Sequence, residues 1–201
     1  MLRVGLTGGI ACGKSTVAAL MRELGCQLSE ADSIAHRLMQ PGQPTYDEIV
    51  REFGRQILQS GGPIDRAKLA AIVFNEKERL SRLNQIVHPR VMAEQDRWLD
   101  EMERAEPGGV AVVEAPLLIE GGYHTRVHRL VVVWCQREQQ MERLLARGLT
   151  RVQAEQRIAA QMPLEEKLRL ADDQIDSSGS LEATRHQVEQ LVAMLKLLAA
   201  T

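Results

Sequence analysis

Residues 8–15 read Gly8-Gly9-Ile10-Ala11-Cys12-Gly13-Lys14-Ser15 and satisfy every fixed position of the pattern G-x-x-x-x-G-K-[ST]. The residue types follow from the work of cradling a polyphosphate. Glycines let the backbone curl until its N–H groups point inward at phosphate oxygens. A helix starting at the end of the loop adds the positive end of its dipole. Lys14 is expected to reach the β and γ phosphates, and the Ser15 hydroxyl to ligate Mg2+. A Gly-rich turn can match such a pattern by accident, so the flanks decide. Leu2 to Leu6 is a short, mostly apolar run that reads as a buried strand. Thr16 to Leu24 (TVAALMREL) has helical apolar spacing and stops at Gly25. Strand, loop and helix in that order are the context that confirms a nucleoside-triphosphate site.

The same alternation continues outward. Gln27 to Ser29 reads as a second short strand, and Asp32 to Met39 as a helix ending before Pro41-Gly42. VAVV at 110–113 and LVVV at 130–133 are continuous apolar runs, suited to strands buried on both faces of a parallel sheet. Asp173-Gln174-Ile175 predicts a last strand, and Leu181 to Leu198 an amphipathic helix. Strands alternating with helices give an α/β domain with a parallel sheet. Between the second and third strands lies a polar, helix-rich stretch, too long for a simple crossover. There Ile49, Val50 and Phe53 predict one helix, and Asp65 caps another that runs through Leu69, Ile72 and Val73. His88-Pro89 is expected to open a third, with the chain extended at His88. The boundaries follow: a core of about 1–44, 107–138 and 168–201, a helical substrate-holding insertion of about 45–106, and a lid of about 139–167.

Composition narrows the function further. Aromatic residues are 3% of the 201, too few for base-stacking platforms. Lys+Arg number 25 against 27 Asp+Glu, a net charge of -2 that gives no general pull toward nucleic acid or an anionic membrane. Neither is an expected partner, and no obligatory protein partner is evident. The three cysteines, Cys12, Cys26 and Cys135, form no CxxC pair, so reduced thiols in a cytoplasmic protein are expected rather than a disulfide framework or a zinc site. No signal-peptide core is legible, and no run reaches the ~18 apolar residues of a membrane span.

Candidate chemistry gathers where strands end. Asp32 follows the second strand and suits a carboxylate that orients an acceptor hydroxyl and takes its proton; an Asp there also suits a helix N-cap. Glu114 follows VAVV and is a candidate to hold Mg2+ through water. Arg143, Arg147 and Arg151 recur every four residues, which on one helix places them on one face: either a lid over the triphosphate or a solvated face paired with Glu142 and Glu155. His88 either contacts substrate or satisfies backbone groups at a helix start. Cys12, beside Lys14 and near a helix N-terminus, either fills a small-residue position or carries thiolate character.

Taken together, several segments resemble the dephospho-coenzyme A kinase family. They are GLTGGIACGKST (5–16), EADSIAHRLMQPG (30–42), DRAKLAAIVF (65–74), IVHPRV (86–91), EAPLLIE (114–120) and ADDQIDSSG (171–179), in the family's order and spanning nearly the whole chain. The resemblance implies a P-loop kinase-type three-layer α/β/α fold with a five-stranded parallel sheet, an inserted helical substrate domain and a helical lid. It implies ATP as phosphoryl donor with Mg2+, and the ribose 3′-hydroxyl of dephospho-coenzyme A as acceptor. On that reading Asp32, Lys14 and Arg143 are catalytic. Gly8, Gly9, Ala11, Cys12, Gly13, Lys14, Ser15, Thr16, Arg147, Ser177 and Gly179 bind ATP. Thr7, Asp32, Arg66, Leu69, His88, Pro116 and Leu117 line the substrate site. Three positions depart from the family's habit: Glu30 stands for the first acid of a D-x-D pattern, Ala11 and Cys12 replace its usual small residues, and Ser177 stands where Asn is frequent. A kinase with another nucleoside or nucleotide acceptor shares the loop and the base. A nucleotide switch shares only the loop, and the chain has no N-K-x-D-like guanine-reading segment.

Overall fold

A computed structural model describes residues 1–200, apart from the side chains of residues 74, 75 and 77. The strands are β1 (Leu2–Gly8), β2 (Gln27–Glu30), β3 (Val110–Glu114), β4 (Arg129–Trp134) and β5 (Asp173–Asp176). The helices are α1 (Lys14–Glu23), α2 (Ala31–Leu38), α3 (Pro44–Phe53), α4 (Arg66–Asn75), α5 (Lys77–Ala105), α6 (Arg137–Ala146), α7 (Arg151–Ala159), α8 (Leu164–Leu170) and α9 (Leu181–Ala199). Their contacts divide the chain into two compact units, Met1–Ser29 with Trp98–Thr201, and Glu30–Arg97.

The first unit is built on β1. The sheet order is β2-β3-β1-β4-β5, and β1 runs parallel to both its neighbours, with Leu6 opposite Glu114 and Gly8 opposite Val133. β4 and β5 are parallel as well. The apolar runs account for this placement, because a central parallel strand is covered on both faces. On one face, Val4, Leu6, Val112, Val131 and Val133 pack with Val17 and Met21 of α1 and with Val188, Val192 and Leu195 of α9. On the other, Leu118 and Val127 crowd against Gly5. Arg129 closes the β4–β5 edge by gripping both oxygens of Asp173 at 2.9 Å. The carboxyl ends of β1, β3, β4 and β5 therefore share one rim, where ligands of parallel sheets bind.

The second unit has its own core, in which Ile34 and Leu38 of α2 meet Ile49 and Phe53 of α3, Leu69 of α4, and Ile86 and Val91 of α5. Asp65 caps α4 as its sequence position predicts, accepting from the N–H groups of Ala67 and Lys68. The unit begins at Glu30 and ends at Arg97, whereas the helical insertion was expected over about 45–106. The shift has a physical reason at each end. The apolar stripe of α2 is spent on the helical core, while Asp100 and Glu103 near the end of α5 bind Arg3 of β1.

Two expectations about helices are corrected. His88-Pro89 opens no helix, because α5 runs through it from Lys77 to Ala105. Burial of Ile86, Val87 and Val91 outweighs the bias against helix before proline, and the Arg90 guanidinium donates to the Ile86 carbonyl at 2.6 Å. The arginine repeat expected on one helix face is also broken, because Arg143 lies on α6, Arg147 at its end and Arg151 at the start of α7. Gly148, at φ 85, ends α6, and Thr150 opens α7 with a reciprocal capping box to Gln153.

Gly8 is required by its close approach to β4: a Cβ there would stand 2.3 Å from the Val133 carbonyl oxygen. Gly8→Ala must push two central strands apart. It is expected to destabilise the protein by about 1–3 kcal/mol, the usual cost of overpacking. A lowered urea midpoint with an unchanged slope checks this, and an unaltered midpoint refutes it.

Candidate active site

The loop between β1 and α1 is held open by its surroundings. Three consecutive carbonyls point outward, each to a side-chain donor from elsewhere in the same unit. Ile10 O accepts from Gln140 Nε2 at 2.7 Å, Ala11 O from Arg143 Nη1 at 3.2 Å, and Cys12 O from the Ser177 hydroxyl at 2.7 Å. Across a planar trans peptide the N–H opposes the carbonyl. Pinning these oxygens outward therefore turns the N–H groups of Ala11 and Gly13 into the loop. Ala11 and Gly13 both have left-handed backbones, at φ 60 and φ 79. The N-cap of α1 is Gly13, which has no side chain to cap the first turn. Curled backbone and an uncapped helix start together form an anion cradle.

Lys14, the first residue of α1, forms an ion pair with Glu114, the last residue of β3, and both side chains are nearly buried, at 13% and 11% exposed. The pair fixes the ammonium beside the loop. Ser15 and Thr16 are exposed at the start of the helix. Ser15 and Glu114 offer oxygen donors of the kind Mg2+ prefers. Among the described residues no group of three His, Cys, Asp or Glu side chains could hold a metal ion by itself. Such a donor set suits an ion that takes most of its ligands from phosphates and water.

Beside the cradle, Ala11, Gly13, Thr16, Arg143, Arg147, Ser177, Gly179, Leu181 and Thr184 line an open cleft of about 300 Å³. Ala11, Gly13, Thr16, Arg147, Ser177 and Gly179 are residues expected to bind ATP, and Arg143 is one expected to be catalytic. Their parts differ. Arg143 is engaged: besides Ala11 O it donates to the Ser177 carbonyl at 2.9 Å. Arg147, at the end of α6, is exposed, and its guanidinium has no hydrogen-bond or ion-pair partner among the described residues. Arg151 lies beyond the Gly148 break and pairs with Glu155 at 3.4 Å, fully on the surface. The expected row of three arginines on one helix face is thus corrected, because the helix ends after Ala146. The Ser177 hydroxyl faces the loop's Cys12 carbonyl and the Trp134 carbonyl, at 2.7 and 3.1 Å.

The expected acceptor residues are spread over both units. In the first, Thr7 is fully buried, and its hydroxyl donates to the Pro116 carbonyl at 3.3 Å. Pro116 and Leu117 are half-buried in the turn that follows β3. In the second, Asp32 is exposed at the second position of α2, without a partner among the described residues. Glu30 occupies the N-cap, so capping does not explain Asp32. Arg66 lies with His36, Gln59 and Asp65 around a cavity of about 430 Å³. Leu69 is buried in the helical core. His88 is half-buried mid-helix, and burial pushes its pKa below the ordinary imidazole value, favouring the neutral ring.

Cys12 is fully buried with its sulfur 3.4 Å from that of Cys135. Sharing a proton with Cys135, together with burial, pushes the Cys12 thiol up, while the same contact and Arg143 draw Cys135 down. Burial and the contact with Cys135 favour the neutral Cys12 thiol, in line with the small-residue alternative at this position. Sequence reasoning missed Gln140, Gln161 and Lys167. Gln161 accepts from the Ile10 N–H at 2.8 Å, and Lys167 is completely buried against Pro116 and Glu120. Nothing in the pattern separates these from the surface Gln and Lys residues around them.

A family model described as dephospho-CoA kinase matches residues 2–183. The chain is 46% identical to the dephospho-CoA kinase of Carboxydothermus hydrogenoformans, over 92% of this chain and 90% of that one. It is also 46% identical to that of Geobacillus kaustophilus, over 97% and 96%. A solved dephospho-CoA kinase from Campylobacter jejuni superposes with a TM-score of 0.73 at 28% identity, covering 97% of both chains. With its phosphate loop, rim and five-stranded sheet, the chain belongs to the dephospho-CoA kinase family.

Proposed function

We propose that this chain transfers the γ-phosphoryl group of ATP to the ribose 3′-hydroxyl of dephospho-coenzyme A, giving coenzyme A and ADP, the last step of coenzyme A biosynthesis. The observation that carries the reading is the Lys14–Glu114 pair set beside a loop whose Ile10, Ala11 and Cys12 carbonyls are turned outward, in a chain of this family. Transfer between phosphates and an alcohol needs little covalent help from a protein; it needs placement and compensation of charge. The N–H groups of Ala11 and Gly13 and the start of α1 receive the phosphates. Lys14 shares its charge between Glu114 and the β and γ oxygens. Ser15 and Glu114 would hold Mg2+, which when bound offsets charge on the transferred group. Asp32, whose carboxylate has no partner among the described residues, orients the 3′-hydroxyl and takes its proton. Arg147 meets the phosphates directly, while Arg143 keeps the shape of the loop. Three free, buried thiols suit a reducing cytoplasm.

The reading rests first on ADP release from Mg-ATP. Release should depend on dephospho-coenzyme A, with adenosine and AMP far weaker acceptors; no acceptor-dependent release in protein that binds ATP refutes it. Asp32→Asn should keep ATP affinity while turnover falls about 10²-fold or more, the scale of a lost general base. Near-normal turnover would remove Asp32 from that role. The two arginines should separate: Arg147→Ala lowers turnover at unchanged urea midpoint, whereas Arg143→Ala lowers both. Equal midpoints for the two variants would contradict the division. Cys12→Ala should keep turnover within about threefold, because that thiol fills space and supplies no charge.

A further inference from the structure

We propose that Lys167 is a positioning residue for phosphoryl transfer, holding the turn at Pro116 and Leu117 in register with the phosphate loop. Lys167, on α8, is the largest side chain among the described residues with no exposure at all. Its ammonium donates to the Pro116 carbonyl at 3.2 Å and pairs with Glu120 at 2.9 Å. The Pro116 oxygen also accepts from Thr7, the residue before Gly8, at 3.3 Å. A carbonyl oxygen has two lone pairs, and this one has both engaged. One donor comes from the strand that enters the phosphate loop and the other from α8. Glu120 extends the tie, since the oxygen that meets Lys167 also accepts the Met162 N–H at 3.0 Å. Next to Met162, Gln161 holds the Ile10 N–H. The segment between α7 and α8, the turn after β3 and the loop are thus connected by a short chain of polar contacts centred on one ammonium.

Stability alone explains this poorly. Burying an ammonium carries a large desolvation cost, and a buried ion pair replaced by well-packed apolar groups is often neutral or stabilising. What a hydrogen-bonded charge supplies, and an apolar chain of the same length cannot, is a fixed donor aimed at one backbone oxygen. The proposal rests on the functional reading above, together with the family resemblance, which implies that Pro116 and Leu117 line the substrate site. On that reading, losing the donor lets the turn drift against a loop that Gln140, Arg143 and Ser177 continue to shape. The acceptor is then misplaced while ATP is still bound well. A drift of about 1 Å is enough to cost ~10²-fold in rate.

Three variants test this: Lys167→Met, Lys167→Arg, and the double variant Glu120→Gln/Lys167→Met, which leaves no unpaired charge. Each is measured for urea midpoint, ATP dissociation constant, and kcat and KM for both substrates. The double variant should match wild type in midpoint and within about twofold in ATP affinity, yet lose roughly 10- to 100-fold in kcat/KM for dephospho-coenzyme A. Lys167→Arg, which restores a donor, should recover most of that loss. A double variant that regains wild-type kcat/KM along with its stability would overturn the proposal, because Lys167 would then be only the partner of Glu120. So would equal losses toward ATP and acceptor. Should Lys167→Met alone unfold, the double variant and Lys167→Arg still decide. Wild-type protein that binds ATP but phosphorylates no dephospho-coenzyme A would overturn the functional reading itself, and this proposal with it; that outcome is read on wild type and is distinct from the variant results.

Discussion

The outward hold on the carbonyls of Ile10, Ala11 and Cys12 is the constraint from which the rest of the site follows. A loop that presents N–H groups to a ligand must send its oxygens somewhere, and in a buried setting each oxygen needs a donor. Gln140, Arg143 and Ser177 supply those donors from α6 and from the end of β5. The loop can therefore keep a left-handed Ala11, a conformation that disfavours any side chain, because three external contacts over-determine it. The same logic explains why β1 lies at the centre of the sheet. Only a strand with neighbours on both sides brings β3 and β4 ends to the loop, and with them Glu114 and the approach to Ser177.

Charge is placed locally in a chain that is nearly neutral overall. With a net charge of -2, no long-range field draws in a polyphosphate. The cations near the loop are instead held close at hand. Glu114 keeps Lys14 from extending into solvent, and the Ala11 and Ser177 oxygens do the same for Arg143. Positive groups that are already ordered lose little conformational freedom when phosphate arrives, so more of the contact energy appears as binding and as transition-state stabilisation. The arrangement is preorganised on the protein's side even where its charges are provisionally paired.

Legibility in the sequence divides along physical lines. The phosphate loop, the runs VAVV and LVVV and the cap at Asp65 were readable because each depends on local chemistry: backbone freedom, burial on two faces, and a side-chain acceptor at a helix start. The continuity of α5 through Pro89 was not, because it is decided by where Ile86, Val87 and Val91 are buried, a tertiary matter that overrides a local bias. The arginine row was misread for a related reason. A repeat of four residues shares a face only while the helix lasts, and Gly148 with the capping box at Thr150 ends it. Both signals were in the sequence, and the charge periodicity masked them. Cys12 illustrates a third kind of limit. Its neighbours in sequence leave a thiolate or a small packing residue open, and its neighbour in space, Cys135, favours the neutral thiol.

Lys167 carries that limit furthest. In the sequence it sits in LEEKLRL, among residues any surface helix would show. Pattern alone assigns such a lysine to solvent, since a lone charge on a short polar helix has no apolar periodicity to mark it as inward. Its burial follows from the partners brought to it by the fold: the Pro116 carbonyl, 51 residues away in the chain, and the Glu120 carboxylate from the same turn. Buried polar groups are determined by complementarity between distant segments, and complementarity has no signature in either segment taken singly. The residues that recognise phosphate are therefore legible because phosphate imposes a motif on them. The residues that aim the phosphate site at its acceptor answer only to one another, and they become visible when the chain is folded.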